Sequence, residues 1–132
     1  MRFLCLYKPN KQEGVPPTQQ EMAEMGKLIE EGMKSGALLA TEGCLPSAKG
    51  ARIRLAGGKF TVTDGPFTES KELVAGFALI QAKSKEEAIE QVKQFLKVAG
   101  DGETELRQVF EAPDCRAESE SELAKSYQRQ SA

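Results

Sequence analysis

The segment Leu73-Val74-Ala75-Gly76-Phe77-Ala78-Leu79-Ile80 is apolar on both of the faces that a strand presents. Its β-branched and aromatic content favours strand over buried helix, and such a strand belongs at the centre of a sheet covered on both sides. Whatever the rest of the chain builds must therefore supply two covers. With 132 residues, it has room for one domain around one core.

Two helices are marked by their ends. Thr18-Gln19-Gln20-Glu21 has the capping-box pattern, followed by a stripe of Met22, Met25, Ile29 and Met33 read as core, with Gly36 placed to stop the helix. Ser84-Lys85-Glu86-Glu87 repeats the pattern ahead of Ala88, Ile89, Val92, Phe95, Leu96 and Ala99, closed by Gly100. Residues 2–8 predict a strand with Phe3, Cys5 and Tyr7 on one face and Leu4 and Leu6 on the other. Residues 38–44 and 106–110 predict two more.

Arg52-Ile53-Arg54-Leu55-Ala56 and Lys59-Phe60-Thr61-Val62-Thr63 flank Gly57-Gly58, the pattern of a two-residue hairpin. That turn sets Leu55 opposite Phe60 and Ile53 opposite Val62, while Arg54 faces Thr61 and Arg52 faces Thr63. One face is apolar and the other polar.

The element order is β, α, β, hairpin, β, α, β. It predicts an α+β fold: a ferredoxin-like antiparallel sheet with two helices on one face and an added β-hairpin. Two helices cover one face only. The expected second cover is the same sheet of a symmetry-related chain, and hence a homodimer.

Composition narrows the function. A net charge of −2 and a pI near 5.4 offer no basic field, so neither nucleic acid nor anionic membrane is an expected partner. No apolar run approaches the ~18 residues of a membrane span. The first residues lack a signal-peptide pattern, and Cys5, Cys44 and Cys115 suggest no disulfide framework; the expected location is cytoplasmic. There is no His, which removes His-based metal sites, general bases and triads. Lacking a phosphate loop or a metal-ligand cluster, the sequence calls for no cofactor.

Between the hairpin and the central strand runs Val62-Thr63-Asp64-Gly65-Pro66-Phe67-Thr68-Glu69-Ser70-Lys71-Glu72, leading into a Gly76-Phe77 pair. This run resembles the signature of the DGPF branch of the YCII-related family, and Glu42-Gly43-Cys44-Leu45-Pro46 resembles its segment before the hairpin. The resemblance covers residues 1–112, leaving 113–132 as a polar tail. It implies a dimeric α+β barrel, and relatives that act on small aromatic compounds or accompany extracytoplasmic-function sigma factors. The His and Asp pair proposed as catalytic in better-studied members has no counterpart, because His is lacking.

The candidate catalytic residues are Asp64, Glu42 and Tyr7. Asp64 stands at the start of a turn as a general base or ligand anchor, though Asp-Gly-Pro-Phe is also an ordinary turn sequence. Glu42 lies in an otherwise apolar strand, where burial would demand pairing, with Arg52 or Arg54 across the sheet as the ordinary solution. Tyr7 is a hydrogen-bond donor. Arg54, Phe67, Glu69, Lys71 and Cys44 are the candidate ligand-binding residues around a small-molecule pocket between sheet and helices. The competing expectation is a non-enzymatic regulatory or protein-interaction module linked to sigma-factor signalling, using the outer sheet edge or the tail.

Overall fold

The computed structural model describes residues 1–67 and 73–111. Glu69, Lys71 and the polar tail lie outside that range. Along the chain run β1 (Arg2–Pro9), α1 (Gln19–Ser35), β2 (Leu38–Gly43), a short 3-10 turn (Ser47–Lys49), β3 (Ala51–Ala56), β4 (Lys59–Asp64), β5 (Gly76–Gln81), α2 (Lys85–Ala99) and β6 (Gly102–Gln108).

Both helices start where their caps predict. The Thr18 hydroxyl accepts from the Glu21 N–H at 3.1 Å, and the Glu21 carboxylate accepts from the Thr18 N–H. At Ser84 only half of the box forms. Its hydroxyl accepts from the Glu87 N–H, but the Glu87 carboxylate reaches one residue further back, to the Lys83 N–H. Gly36 ends α1 in the left-handed region, at φ 81°, which a side chain resists.

The four-stranded antiparallel sheet has the order β2-β5-β1-β6, the ferredoxin-like arrangement. Phe3, Cys5 and Tyr7 of β1 face the helices, opposite Ile80, Ala78 and Gly76 of β5. Phe3, Cys5 and Ile80 form the core with Ala82 and with Ala88 of α2, and Leu38, Val92 and Leu106 pack around them. The central strand is shorter than its apolar run, beginning at Gly76 rather than Leu73. Just before it, the Ala75 N–H donates to the Tyr7 carbonyl and the Cys44 N–H donates to the Ala75 carbonyl, both at 2.8 Å. The closing strand starts four residues earlier than its apolar residues suggest, because Gly102–Glu105 pair with Leu6–Pro9.

The hairpin has the register its turn dictates, with Leu55 opposite Phe60 and Ile53 opposite Val62. Gly57 and Gly58 lie at φ 57° and 76°, as a two-residue turn matching strand twist demands. It forms a separate two-stranded sheet. All of residues 51–64 are exposed, on the apolar face as well as the polar one.

The helices cover the sheet unequally. Ala88 of α2 is fully buried, whereas α1 buries no residue completely. Of the stripe read as core, Met25 and Ile29 are half-buried, while Met22 and Met33 are 54% and 47% exposed. Gly32 brings α1 close to β2, since a Cβ there would lie 2.9 Å from that of Leu38. Elsewhere α1 leaves room between itself and the sheet.

Candidate functional site

That room is a cavity of about 1180 Å³, slightly above the roughly 300–1,000 Å³ of ordinary ligand pockets. Its walls are mainly apolar, with Met25, Leu28 and Ile29 from α1, Val92 and Phe95 from α2, and Ala78 from the sheet. β1 contributes Cys5 and Tyr7 because alternate residues of a strand point the same way.

Tyr7 is the polar group best placed inside. Its ring meets Phe95 edge to face at 5.1 Å, and its hydroxyl donates to the Ala99 carbonyl over a long 3.5 Å. Burial, opposed by nearby Lys11 and reinforced by Asp101 and Glu21, raises its pKa, so the phenol stays protonated at neutral pH. Directly across the strands sits Thr104, which also lines the cavity. Its hydroxyl is buried without a hydrogen-bond partner among the described residues, a state that costs about 1–3 kcal/mol. Sequence reasoning missed Thr104. A threonine in a strand is unremarkable until the register sets it beside Tyr7.

Glu42 and Cys44 border the cavity from β2 and the loop after it. Glu42 is exposed, contrary to the expectation of burial. β2 is an edge strand, and the irregularity between Leu38 and Ala40 places Glu42 opposite Phe77, on the face away from the helices. No ion pair joins it to Arg52 or Arg54, so the across-sheet pairing is absent as well. Cys44 is an exposed thiol, whereas burial pushes Cys5 up to about 11, leaving it a protonated and unreactive wall residue. Lys11 at the rim is outnumbered by Glu13, Glu21, Glu31 and Glu42.

The structure thus brings Tyr7, Glu42 and Cys44 to one cavity and leaves Asp64 and Arg54 out of its lining, because both belong to the projecting hairpin. The Asp-Gly-Pro-Phe loop makes a junction. The Glu13 carboxylate accepts from the Ser47 N–H at 2.7 Å and from its hydroxyl at 2.6 Å, and that hydroxyl accepts from the Phe67 N–H at 3.0 Å. The Arg52 guanidinium lies 4.0 Å above the Phe67 ring centre, a cation–π contact. Gly65 donates to the Gly50 carbonyl at 3.1 Å, and a Cβ on it would run into the Ser47 carbonyl. Phe67, Arg52 and Ser47 also line a second, smaller space of about 230 Å³.

No described helix is long and apolar enough to cross a membrane. The family model of the YCII-related domain matches residues 1–113. The uncharacterized protein R00369 of Rhizobium meliloti (strain 1021) is 31% identical over 72 residues, 54% of this chain and 58% of that protein. The chain therefore aligns with little more than half of that relative's length. A solved structure, the 5-chloro-2-hydroxyhydroquinone dehydrochlorinase of Burkholderia phenoliruptrix AC1100 in complex with 2,5-dihydroxybenzoquinone, is 15% identical with a TM-score of 0.47, covering 85% of this chain and 96% of that one.

Proposed function

The chain belongs to the YCII-related domain family, and within it we propose a homodimeric protein that binds a small, uncharged, largely apolar molecule between α1, α2 and the sheet. One observation carries this reading: an apolar cavity of about 1180 Å³ whose wall holds a buried hydroxyl, that of Thr104, with no partner among the described residues. Apolar walls left facing water favour a ligand that displaces it, and an unsatisfied hydroxyl favours one with a polar atom to offer. Tyr7, kept protonated, offers a second hydrogen bond, by accepting from the ligand or by turning its one O–H away from the long 3.5 Å contact with the Ala99 carbonyl. The acidic rim disfavours anions. Cys44 borders the cavity and Glu42 meets it from the sheet edge with its strand position facing away from the helices, while Asp64 and Arg54 act through the hairpin and its junction.

The test compares 2-naphthol with sodium 2-naphthoate by thermal shift. The reading expects 2-naphthol to raise the melting temperature and the carboxylate to leave it unchanged, with Tyr7→Phe and Thr104→Val each weakening the response to 2-naphthol. Indifference to both compounds contradicts it. A regulatory or protein-interaction role is favoured by a different observation, the exposed apolar face of the hairpin.

A further inference from the structure

The connection from β1 to α1 is longer than it needs to be. Residues 10–18 lie between Pro9 and Gln19, where a strand-to-helix connection ordinarily takes roughly 2–6 residues. Every residue from 11 to 17 lines the cavity. Among the described residues, none of these seven makes a backbone hydrogen bond to another segment; the last before them is from the Asn10 N–H to the Asp101 carbonyl, at 3.2 Å. Two side-chain contacts hold the stretch instead. Near its start the Lys11 ammonium reaches the Glu21 carboxylate at 3.3 Å. In its middle the Glu13 carboxylate accepts from the Ser47 N–H at 2.7 Å and from the Ser47 hydroxyl at 2.6 Å.

The second contact crosses one end of the cavity. β1 and β2 both run antiparallel to β5, which lies between them, so the loops that follow them and the residues that precede β5 meet at the same end of the sheet. Leu45, Pro46 and Val74 line the cavity there, and Glu13 ties the first loop to the second beside them.

We propose that residues 11–17 are the gate through which a ligand enters the cavity, and that the Glu13 contact with Ser47 is its latch. The bonding suits a reversible closure. Both latch bonds go to a carboxylate and are directional, so they define one closed position; Glu13 is exposed, so water replaces them on opening. The backbone suits it too. Gly14, next to the latch, has a φ of 85° with open space where a Cβ would stand, a pivot free of its surroundings, and Pro16-Pro17 stiffen the limb beyond it. The other half of the latch is fixed. The Ser47 hydroxyl gives its one proton to Glu13 and accepts from the Phe67 N–H at 3.0 Å, so the hairpin junction holds it in place.

This inference rests on the cavity being the ligand site, yet its test needs no ligand. Cys5 lines the cavity and is 7% exposed, while Cys44 is exposed at its border. The full chain is treated with dithiodipyridine, a small uncharged thiol reagent, and peptide mass spectrometry follows the two thiols separately. Glu13→Ala is expected to speed labelling of Cys5 by roughly tenfold or more, as the loss of hydrogen bonds to a charged group implies, and to leave Cys44 unchanged. An unchanged Cys5 rate overturns the gate. In the wild type, the Cys5 rate is expected to stay nearly flat in urea below the unfolding transition, because a local opening exposes little surface. A rate that climbs as steeply as global unfolding overturns the gate without recourse to any variant. Stopped-flow binding of 2-naphthol then separates gate from site. Faster association with Glu13→Ala than with the wild type supports both, whereas no binding to either, with Cys5 still controlled by Glu13, overturns the ligand reading and leaves the gate standing.

Discussion

Phe3 and Phe60 make the same kind of contribution to their strands and end in opposite surroundings. Each lies in an antiparallel ladder with the register its neighbours dictate, yet Phe3 is 2% exposed and Phe60 69%. The difference is the layer above. Phe3 has Ala88 and Val92 of α2 over it, whereas among the described residues the hairpin has no covering layer. Ladder geometry is a local property of the sequence, and burial is a property of what a surface meets.

The comparison breaks most sharply by truncation. Phe3→Ala is expected to lower stability by about 3–5 kcal/mol, and Phe60→Ala by well under about 1 kcal/mol in protein dilute enough to be monomeric, both read by urea unfolding. Equal losses would mean that the hairpin packs on its own chain. Gly65→Ala comes next, at about 2 kcal/mol, because the new Cβ meets backbone that can move only by opening the junction. Faster amide exchange across β3 and β4 should accompany it, with β1 and β5 unaffected. Thr18→Ala, which removes the α1 cap, is expected to cost about 1 kcal/mol.

The smallest effect is one of pH. Hydrogen bonds from Thr18 and Lys11 hold the exposed Glu21 carboxyl below its ordinary 4.5. A depressed carboxylate contributes stability that is present above its unfolded pKa and fades as pH falls through the folded one. Glu21→Gln is therefore expected to melt slightly below the wild type at neutral pH, with the gap closing in acid below pH 4.5. A gap that stays constant with pH would assign the effect to something other than the charge.

Most of the fold was legible because it depends on neighbours in sequence. The Thr18 box, the left-handed Gly36, the Gly57-Gly58 turn and the pairing of Ile53 with Val62 all follow from short-range chemistry. Strand limits were less so, since β6 extends back to Gly102 only because β1 is there to pair with it. The site was legible in part. Tyr7 followed from the alternation of β1, but the partnerless Thr104 depends on strand register and on α1 standing away from the sheet. The exposure of Glu42 depends on β2 being an edge, and the distance of Asp64 and Arg54 from the cavity on the direction of the hairpin. None of these is a property of the residue alone.

The central claim is that the space under α1 is a ligand site. The most direct measurement is a high-resolution crystal structure of protein purified from cell extract without added ligand. The account predicts α1 held off the sheet and compact density beside Tyr7 and Thr104, within hydrogen-bond distance of at least one of the two hydroxyls. An empty interior, with α1 settled on the sheet and Met22 and Met25 filling the space, would contradict it.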